Sequence, residues 1–236
     1  MSGSHKPDWT EALDAFEADW SAPILVAGID AAGLADRLAR RSESGIAAEG
    51  DDWVLLAPEA PDEVADAWAG LPPRSVGTVV LRRAWDDRPG ADLAAAAGHR
   101  LLVPGGRMFV ADLDLDRLLG GSPVRYPYQF RFTLDPDAAA RLRATTSGSA
   151  DLALAAGRSR LKQARGVDLE EVRKVYDGPA DYWMAVRDGA WPSLVDTPAD
   201  DRDRLLERLA IELERVAPLG EIAERRPWFA VTGLRV

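Results

Sequence analysis

Residues 76–112 read VGTVVLRRAWDDRPGADLAAAAGHRLLVPGGRMFVAD. The segment opens with an apolar run of strand length, continues through an alanine-rich stretch that is typical of a helix, and closes with a second apolar run around a Pro-Gly-Gly turn. Two strands that are joined by a helix run parallel in one sheet. The segment therefore predicts a strand–helix–strand unit, the building block of an α/β protein.

The same alternation extends toward the amino terminus. Four segments continue it, namely strands at 23–28 and 53–57 and helices around 34–38 and at 62–71. Asp8 and Glu11 have the spacing of a capping box, so a further helix is expected to begin at Trp9. Strands and helices that alternate over residues 23–112 imply a mainly parallel sheet with helices on its faces.

The pattern changes in the second half of the chain. Aromatic residues alternate with other residues and predict a strand with one aromatic face, made of Tyr126, Tyr128, Phe130 and Phe132. Three helix starts follow, at Asp135 with Pro136, at a capping box of Asp168 and Glu171, and at Thr197 with Pro198. The last residues, 228–236 (WFAVTGLRV), predict a final strand.

The composition argues against several classes of function. The chain has 236 residues, a net charge of -10, no cysteine and two histidines, His5 and His99. This acidity does not favour nucleic-acid binding. The lack of cysteine excludes disulfides and thiolate metal sites, and two histidines do not support a zinc site, so we expect no metal. No apolar stretch approaches the roughly 18 residues that span a membrane, and we expect a cytoplasmic protein.

Residues 24–33 (ILVAGIDAAG) form a strand-to-helix turn with a glycine on each side. Gly28 and Gly33 occupy the outer positions of a G-x-G-x-x-G pattern, and Asp30 occupies the central one. Such turns bring backbone amides close to a nucleotide-like ligand. Glu49 lies about 20 residues further on, where such sites place the acid that binds ribose hydroxyls. The alternatives are an ordinary turn with Asp30 as helix N-cap, and a surface loop at Glu49.

The segment 76–112 resembles the region of class I S-adenosylmethionine-dependent methyltransferases between the fourth and fifth strands. The family carries an R-x-L-x-P-G-G turn there, formed here by Arg100, Leu102, Pro104, Gly105 and Gly106. The resemblance covers residues 20–115 and 200–236. It implies a three-layer Rossmann-like sandwich with a mainly parallel sheet, an antiparallel C-terminal strand, and a helical and aromatic insertion after the fifth strand.

This resemblance also implies how the chain is organised. We expect a single domain, because no flexible linker or internal repeat divides the sequence. Its parts are an N-terminal helix (1–22), a Rossmann-like core (23–119), an insertion or cap (120–197), and a C-terminal helix and strand that complete the core (198–236).

The chain departs from the family at two acidic positions. Val26 stands where the first strand usually ends in an acid, and Gly77 stands where an acid commonly opens the fourth strand. The interval from Gly28 to Val76 is also short for two further strands with their helices. These departures predict an abbreviated sheet and a weakened cofactor site.

The resemblance implies a set of site residues. It places S-adenosylmethionine at Gly28, Asp30, Gly33, Glu49 and Arg82. Just after the fourth strand, Asp86 or Asp87 would act as the general base for an oxygen or nitrogen nucleophile. The residues that would line an aromatic acceptor cavity are Trp85, Tyr126, Tyr128, Tyr182 and Trp183. Core packing and a homodimer interface are alternative roles for these aromatic residues.

Two functions remain open at this point. One is an S-adenosylmethionine-dependent methyltransferase-like protein that acts on a small molecule. Its activity could be intact, weakened or lost. The other is a non-catalytic partner subunit or binding module with the same fold, which would use the aromatic strand near Tyr128 as its protein interface. A dinucleotide-binding enzyme is disfavoured, because Asp30 replaces the central glycine.

Overall fold

The computed structural model describes most of the chain. The described residues are 6–18, 22–28, 31–43, 54–56, 66–82, 88–123, 125–146, 148–158, 160–190, 198–216 and 220–236. They divide into two compact units. Unit 1 comprises residues 1–114, 145–170 and 228–236, and unit 2 comprises residues 115–144 and 171–227.

The bounds of the strands and helices are as follows. The strands are β1 Ile24–Gly28, β2 Val54–Leu56, β3 Val76–Arg82, β4 Leu102–Leu113, β5 Lys162–Tyr176 and β6 Ile222–Leu234. The helices are α1 Trp9–Ala15, α2 Ala31–Glu43, α3 Arg88–Leu101, α4 Leu115–Gly120, α5 Gln129–Leu134, α6 Pro136–Thr145, α7 Ser149–Arg158, α8 Pro179–Ala185 and α9 Ala199–Val216. A π-helical turn follows α8 at Val186–Ala190, and residues 66–69 are helical.

The sheet has the strand order β2-β1-β3-β4-β6-β5. β1 is parallel to β2 and β3, β3 is parallel to β4, and β6 is antiparallel to β4. This confirms the expected α/β fold with a partly parallel sheet and an antiparallel C-terminal strand. Between β1 and β3, β2 is the one strand among the described residues, which agrees with the short interval in the sequence.

Helices cover both faces of the sheet in unit 1. Leu25, Val79 and Met108 are in register on neighbouring strands and belong to a core cluster that includes side chains of α3 and α7. On the opposite face, α1 and its C-cap residue Phe16 pack against the sheet. The ring centroids of Trp9 and Trp228 lie 6.1 Å apart, as do those of Phe16 and Phe109. All residues of β1 and β3 are therefore buried, which explains their continuous apolar runs.

The first helix begins as its sequence predicts. Asp8 Oδ1 accepts a hydrogen bond from the Glu11 amide, and Glu11 Oε2 accepts one from the Asp8 amide, each at 2.9 Å. The capping box is thus confirmed, and it satisfies two backbone donors that the first turn leaves without helical partners.

Unit 2 has its own core. Side chains of α5, α8, α9, β5 and β6 form one cluster around Phe130, Tyr176, Tyr182, Leu209 and Ile222. A smaller cluster contains Leu118, Tyr126 and Phe132. The helices expected after Asp135 and after Thr197 are confirmed as α6 and α9.

The predicted aromatic strand is wrong, because residues 129–134 form the helix α5 and Tyr126 and Tyr128 lie in the turn before it. Phe130 and Leu134, one helical turn apart, enter the larger cluster of unit 2, whereas Phe132 enters the smaller one. A short helix buried on two sides carries apolar residues at alternate positions, so its pattern imitates that of a strand.

The predicted capping box at Asp168 and Glu171 is also wrong, because both residues lie within β5. Lys6 Nζ donates a hydrogen bond to Asp168 Oδ2 at 2.8 Å and forms an ion pair with it, and the Glu170 amide donates to the Pro7 carbonyl at 3.0 Å. These partners are distant in sequence, so tertiary pairing overrides the local helix signal. No helix within the described residues is long and apolar enough to cross a membrane.

Candidate functional site

The carboxyl ends of β1 and β3 meet at one edge of the sheet. Gly28 ends β1, Arg82 ends β3, and the two residues are paired in the parallel register. Arg82 is in turn paired with Ala111 of β4. Open α/β sheets bind ligands outside the carboxyl ends of their parallel strands, so this edge is the candidate site. The structure thus brings together two of the residues assigned to the cofactor.

Gly28 adopts a backbone conformation that favours glycine. Its φ is +93°, and a β-carbon at this position would lie 2.7 Å from the carbonyl carbon of Arg82 and overlap the carbonyl oxygen. The close approach of β1 and β3 therefore requires a glycine here independently of any ligand. The presence of glycine at position 28 is thus explained by the packing of the sheet as well as by the sequence motif.

Gly33 lies in the first turn of α2, five residues after the end of β1 in the sequence. A β-carbon at Gly33 would meet only the Arg37 Nη1 atom, at 3.7 Å. The first turn of α2 contains no acidic residue. The first amides of a helix have no partners within that helix and attract anionic or hydroxyl groups. Gly33 thus leaves room beside a helix end that can bind such groups.

Arg82 is a fully buried cation at this edge. Its Cζ atom lies 4.4 Å from the ring centroid of Trp228 and 5.4 Å from that of Trp9. The two indoles contact each other at 65°, edge to face. Cation–π contacts with two tryptophans stabilise the guanidinium and hold it in position.

Five of the assigned site residues lie outside the part of the chain that the structure describes. They are Asp30, Glu49, Trp85, Asp86 and Asp87. Their roles stay predictions, including the assignment of Asp86 or Asp87 as general base.

Four of the five aromatic residues assigned to the acceptor lie within unit 2. Tyr128, Tyr182 and Trp183 belong to or pack against the larger cluster, and Tyr126 belongs to the smaller one. Tyr126 and Tyr182 are buried, whereas Tyr128 and Trp183 are partly buried. Trp183 Nε1 donates a hydrogen bond to the Leu206 carbonyl at 2.9 Å, which joins α8 to α9. Tyr126 and Tyr182 therefore pack in the core of unit 2.

Sequence reasoning missed a buried polar cluster around Glu224 in unit 2. Tyr176 Oη donates to Glu224 Oε2 at 3.2 Å, and Arg173 and Arg226 lie 3.4 Å and 3.7 Å from Glu224 Oε1. Burial, together with the neighbouring Glu224 carboxylate, raises the pKa of Tyr176 to about 12. Since these residues come from β5 and β6, no local sequence signal would have joined them.

The described residues fit part of an S-adenosylmethionine site. The positive φ of Gly28, the open space at Gly33 and the amino end of α2 suit a ligand that carries carboxylate and hydroxyl groups, as this cofactor does. The described ends of β1 and β3 carry Gly28 and Arg82, and neither supplies an acceptor carboxylate for a cationic ligand. The backbone at Gly28 and Gly33 thus fits the cofactor better than the described side chains at the strand ends do.

No protein-family model matches the chain, and no curated protein sequence matches it. Solved structures do match. A protein of Anabaena variabilis, described as a methyltransferase from an antibiotic biosynthesis pathway, matches with a TM-score of 0.56 at 13% identity. The match covers 95% of this chain and 97% of that one.

Two further structures match with lower scores. Phosphoethanolamine N-methyltransferase 2 of Haemonchus contortus matches with a TM-score of 0.45 at 12% identity, over 98% of this chain. This chain spans 54% of the length of that protein. The YcgJ protein of Bacillus subtilis matches with a TM-score of 0.43 at 14% identity, over 95% of this chain and 97% of that one. The match to the Anabaena protein confirms that this chain has the methyltransferase-like fold that residues 76–112 resemble.

Proposed function

We propose that this chain is an S-adenosylmethionine-dependent methyltransferase-like protein that acts on a small molecule. One observation carries the proposal. A fully buried parallel strand ends in the positive-φ Gly28 and leads into α2 at the sheet edge where α/β proteins bind ligands. A fold alone does not define an activity, so the proposal depends on this turn and not only on the structural match.

In this proposal, backbone groups between Gly28 and Gly33 hold the cofactor, and the Asp30 and Glu49 side chains accept hydrogen bonds from it. Bound S-adenosylmethionine would supply a methyl group on a sulfonium centre. Asp86 or Asp87 would take the proton from an acceptor oxygen or nitrogen, and holding the acceptor in line would supply most of the rate enhancement.

The burial of the remaining assigned residues refines their proposed roles. Tyr128 and Trp183, which are partly buried, are proposed to contact the acceptor, whereas the buried Tyr126 and Tyr182 would support them through packing. Trp85 lies outside the described residues, and its role stays a prediction. Arg82 lies between two indole rings. We therefore assign it to the packing of the sheet edge, where its backbone carbonyl faces the Gly28 turn.

A specific observation favours the second candidate, a non-catalytic partner subunit or binding module. Val26 and Gly77 replace the acids that the family resemblance leads one to expect. A site without these two carboxylates would bind a sulfonium ligand more weakly.

The test is isothermal titration of the purified chain with S-adenosylmethionine and S-adenosylhomocysteine. Gly33→Trp places a bulky ring in the proposed site without a backbone clash. Gly157→Trp is the matched control, because Gly157 is an exposed helical glycine of α7 with open space around it. Gly28→Trp is unsuitable, since it would disrupt the sheet as well as the site.

We expect micromolar binding that Gly33→Trp abolishes and Gly157→Trp leaves unchanged. A well-folded wild-type sample that binds neither compound would contradict the methyltransferase proposal and support the partner-subunit candidate. Co-purification of a protein partner would then be the next experiment.

A further inference from the structure

The strand β5 forms one edge of the sheet, and its first residues are exposed. The strand order places β6 on one side of β5 and, among the described residues, no strand on the other. Every residue from Lys162 to Gly166 is exposed, whereas Val167 is buried and Asp168 is partly buried. An exposed sheet edge can pair with a further extended chain.

The charge of this edge changes sign along the strand. Residues 158–165 (RSRLKQAR) contain four cations and no carboxylate, although the net charge of the chain is -10. The next charged residues are acidic, Asp168 and Glu170. Residues 160–166 are called the basic part of the edge below, and residues 168–170 are called the acidic part.

The acidic part is paired with another segment of the same chain. The Glu170 amide donates a hydrogen bond to the Pro7 carbonyl at 3.0 Å, and Lys6 Nζ forms an ion pair with Asp168 Oδ2 at 2.8 Å. Lys6 and Pro7 lie in the non-helical segment before α1. This edge therefore binds a segment of opposite charge through one main-chain hydrogen bond and one ion pair.

The basic part has no such partner within the described ranges. Arg160, Lys162 and Arg165 are exposed, and they form no ion pair with any carboxylate that the structure describes. Burial lowers the pKa of His99, and the charges of Arg235 and Arg160 lower it further. The positive potential of the basic part therefore reaches neighbouring side chains of unit 1.

The backbone of the basic part is suited to strand addition. The Glu170 amide bonds to Pro7, so it points away from β6. Backbone groups of every second residue in a strand point to the same side, which directs those of Ala164 and Gly166 outward as well. Gln163, which has a φ of 54°, lies before this stretch and leaves its alternation intact.

We propose that the basic part of β5 binds an acidic, extended segment of a partner protein, which adds to the sheet as a further strand. Carboxylates of the partner would pair with Lys162 and Arg165, and its main chain would pair with Ala164 and Gly166. The acidic part binds Lys6 and Pro7 in the same way, with the charges reversed.

Two other occupants fit this edge less well. If the basic parts of two copies of this chain paired in antiparallel fashion, cations would lie opposite cations, which is destabilising. A nucleic acid would neutralise the cations but has no peptide groups to pair with the outward backbone. The proposal does not depend on the proposed function, because it involves no S-adenosylmethionine.

The experiment measures the fluorescence anisotropy of a short labelled peptide of alternating glutamate and threonine, titrated with the full chain in a low-salt buffer. We expect saturable binding that weakens as sodium chloride is added. A peptide of alternating lysine and threonine should not bind. An oligothymidylate of the same length carries negative charge without peptide groups, and it should bind more weakly than the acidic peptide.

Three variants assign the binding to this edge. Lys162→Gln combined with Arg165→Gln should weaken binding about fivefold, as expected for the loss of two exposed ion pairs. Arg204→Gln combined with Arg208→Gln removes the same charge from exposed positions of α9 and should bind as the wild type does. Ala164→Pro keeps the charge but removes one outward backbone donor, and it should weaken binding about threefold.

Far-UV circular dichroism confirms that each variant is folded. If Ala164→Pro does not fold, an acidic peptide with a methylated backbone tests the same hydrogen bonds against the wild-type chain. This peptide should bind more weakly than the unmethylated one.

The proposal is overturned if the folded wild-type chain does not bind the acidic peptide, or if the Lys162 and Arg165 variant binds it as tightly as the α9 control. Removal of the backbone donors without effect would refute strand addition. Preference for the oligothymidylate would assign the edge to a nucleic acid and overturn the proposal. A dimer in sedimentation velocity that the Lys162 and Arg165 substitutions dissociate would assign it to a second copy, with the same consequence.

Discussion

Replacing Gly28 with alanine separates the role of this glycine in the fold from its role in a cofactor site. Alanine at Gly28 meets two obstacles, a φ of +93° and an overlap with the Arg82 carbonyl group. Gly105 has a φ of +82° but no atom within 4 Å of an added β-carbon. Gly105→Ala therefore carries only the conformational obstacle and is the matched control.

The structure allows both effects to be estimated. The left-handed backbone conformation costs an L-residue about 1–2 kcal/mol, so it should lower the free energy of unfolding of both variants by that amount. Overpacking against a backbone atom adds about 1–3 kcal/mol, which applies to Gly28→Ala alone. We expect Gly28→Ala to lower the free energy of unfolding by about 2–5 kcal/mol in all, a large share of the roughly 5–15 kcal/mol typical of a domain.

The assay is urea denaturation followed by far-UV circular dichroism at matched protein concentration. The reasoning is refuted if Gly28→Ala unfolds at the same urea concentration as Gly105→Ala. Such a result, combined with lost S-adenosylmethionine binding, would mean that Gly28 serves the ligand and not the sheet.

Two further predictions concern side chains that stabilise each unit. In unit 1, Arg235→Met should lower the free energy of unfolding by about 2 kcal/mol. Urea denaturation measures this loss, and a change within about 0.5 kcal/mol of zero would contradict it. The reason is that Nη1 of Arg235 donates to three carbonyls at the end of α3 and the start of β4, those of His99, Arg100 and Leu102. In unit 2, the folded chain keeps the Tyr176 proton up to a pKa of about 12, whereas the unfolded chain releases it near 10. The resulting stabilisation is complete below about pH 10 and falls between about 10 and 12. Phenolate absorbance should show a late-titrating group that Tyr176→Phe removes, and an unchanged titration curve in this variant would refute the assignment.

The sequence by itself was sufficient to predict the parallel strands of the sheet. Strands β1 and β3 are buried on both faces, so each is a continuous apolar run that is bounded by turn residues. The capping box at Asp8 carries its own local signal. The apolar residues after Pro104 also predicted a strand, although the Pro-Gly-Gly segment lies within β4 and does not form a separate turn. Each of these features depends on neighbours in sequence, and for that reason reading the chain residue by residue identified them.

The tertiary structure decided the features that depend on distant partners. β5 is rich in charged residues and has no strand pattern, yet it pairs beside β6 at the edge of the sheet. The aromatic residues between 126 and 132 alternate as in a strand, but Phe130 and Phe132 lie in the helix α5, where two separate clusters bury them. Gly28 requires glycine because of a carbonyl on the neighbouring strand, and Tyr176 of β5 donates a hydrogen bond to Glu224 of β6. Burial, strand pairing and charge proximity are properties of the folded chain, so the sequence could name these residues but could not bring them together.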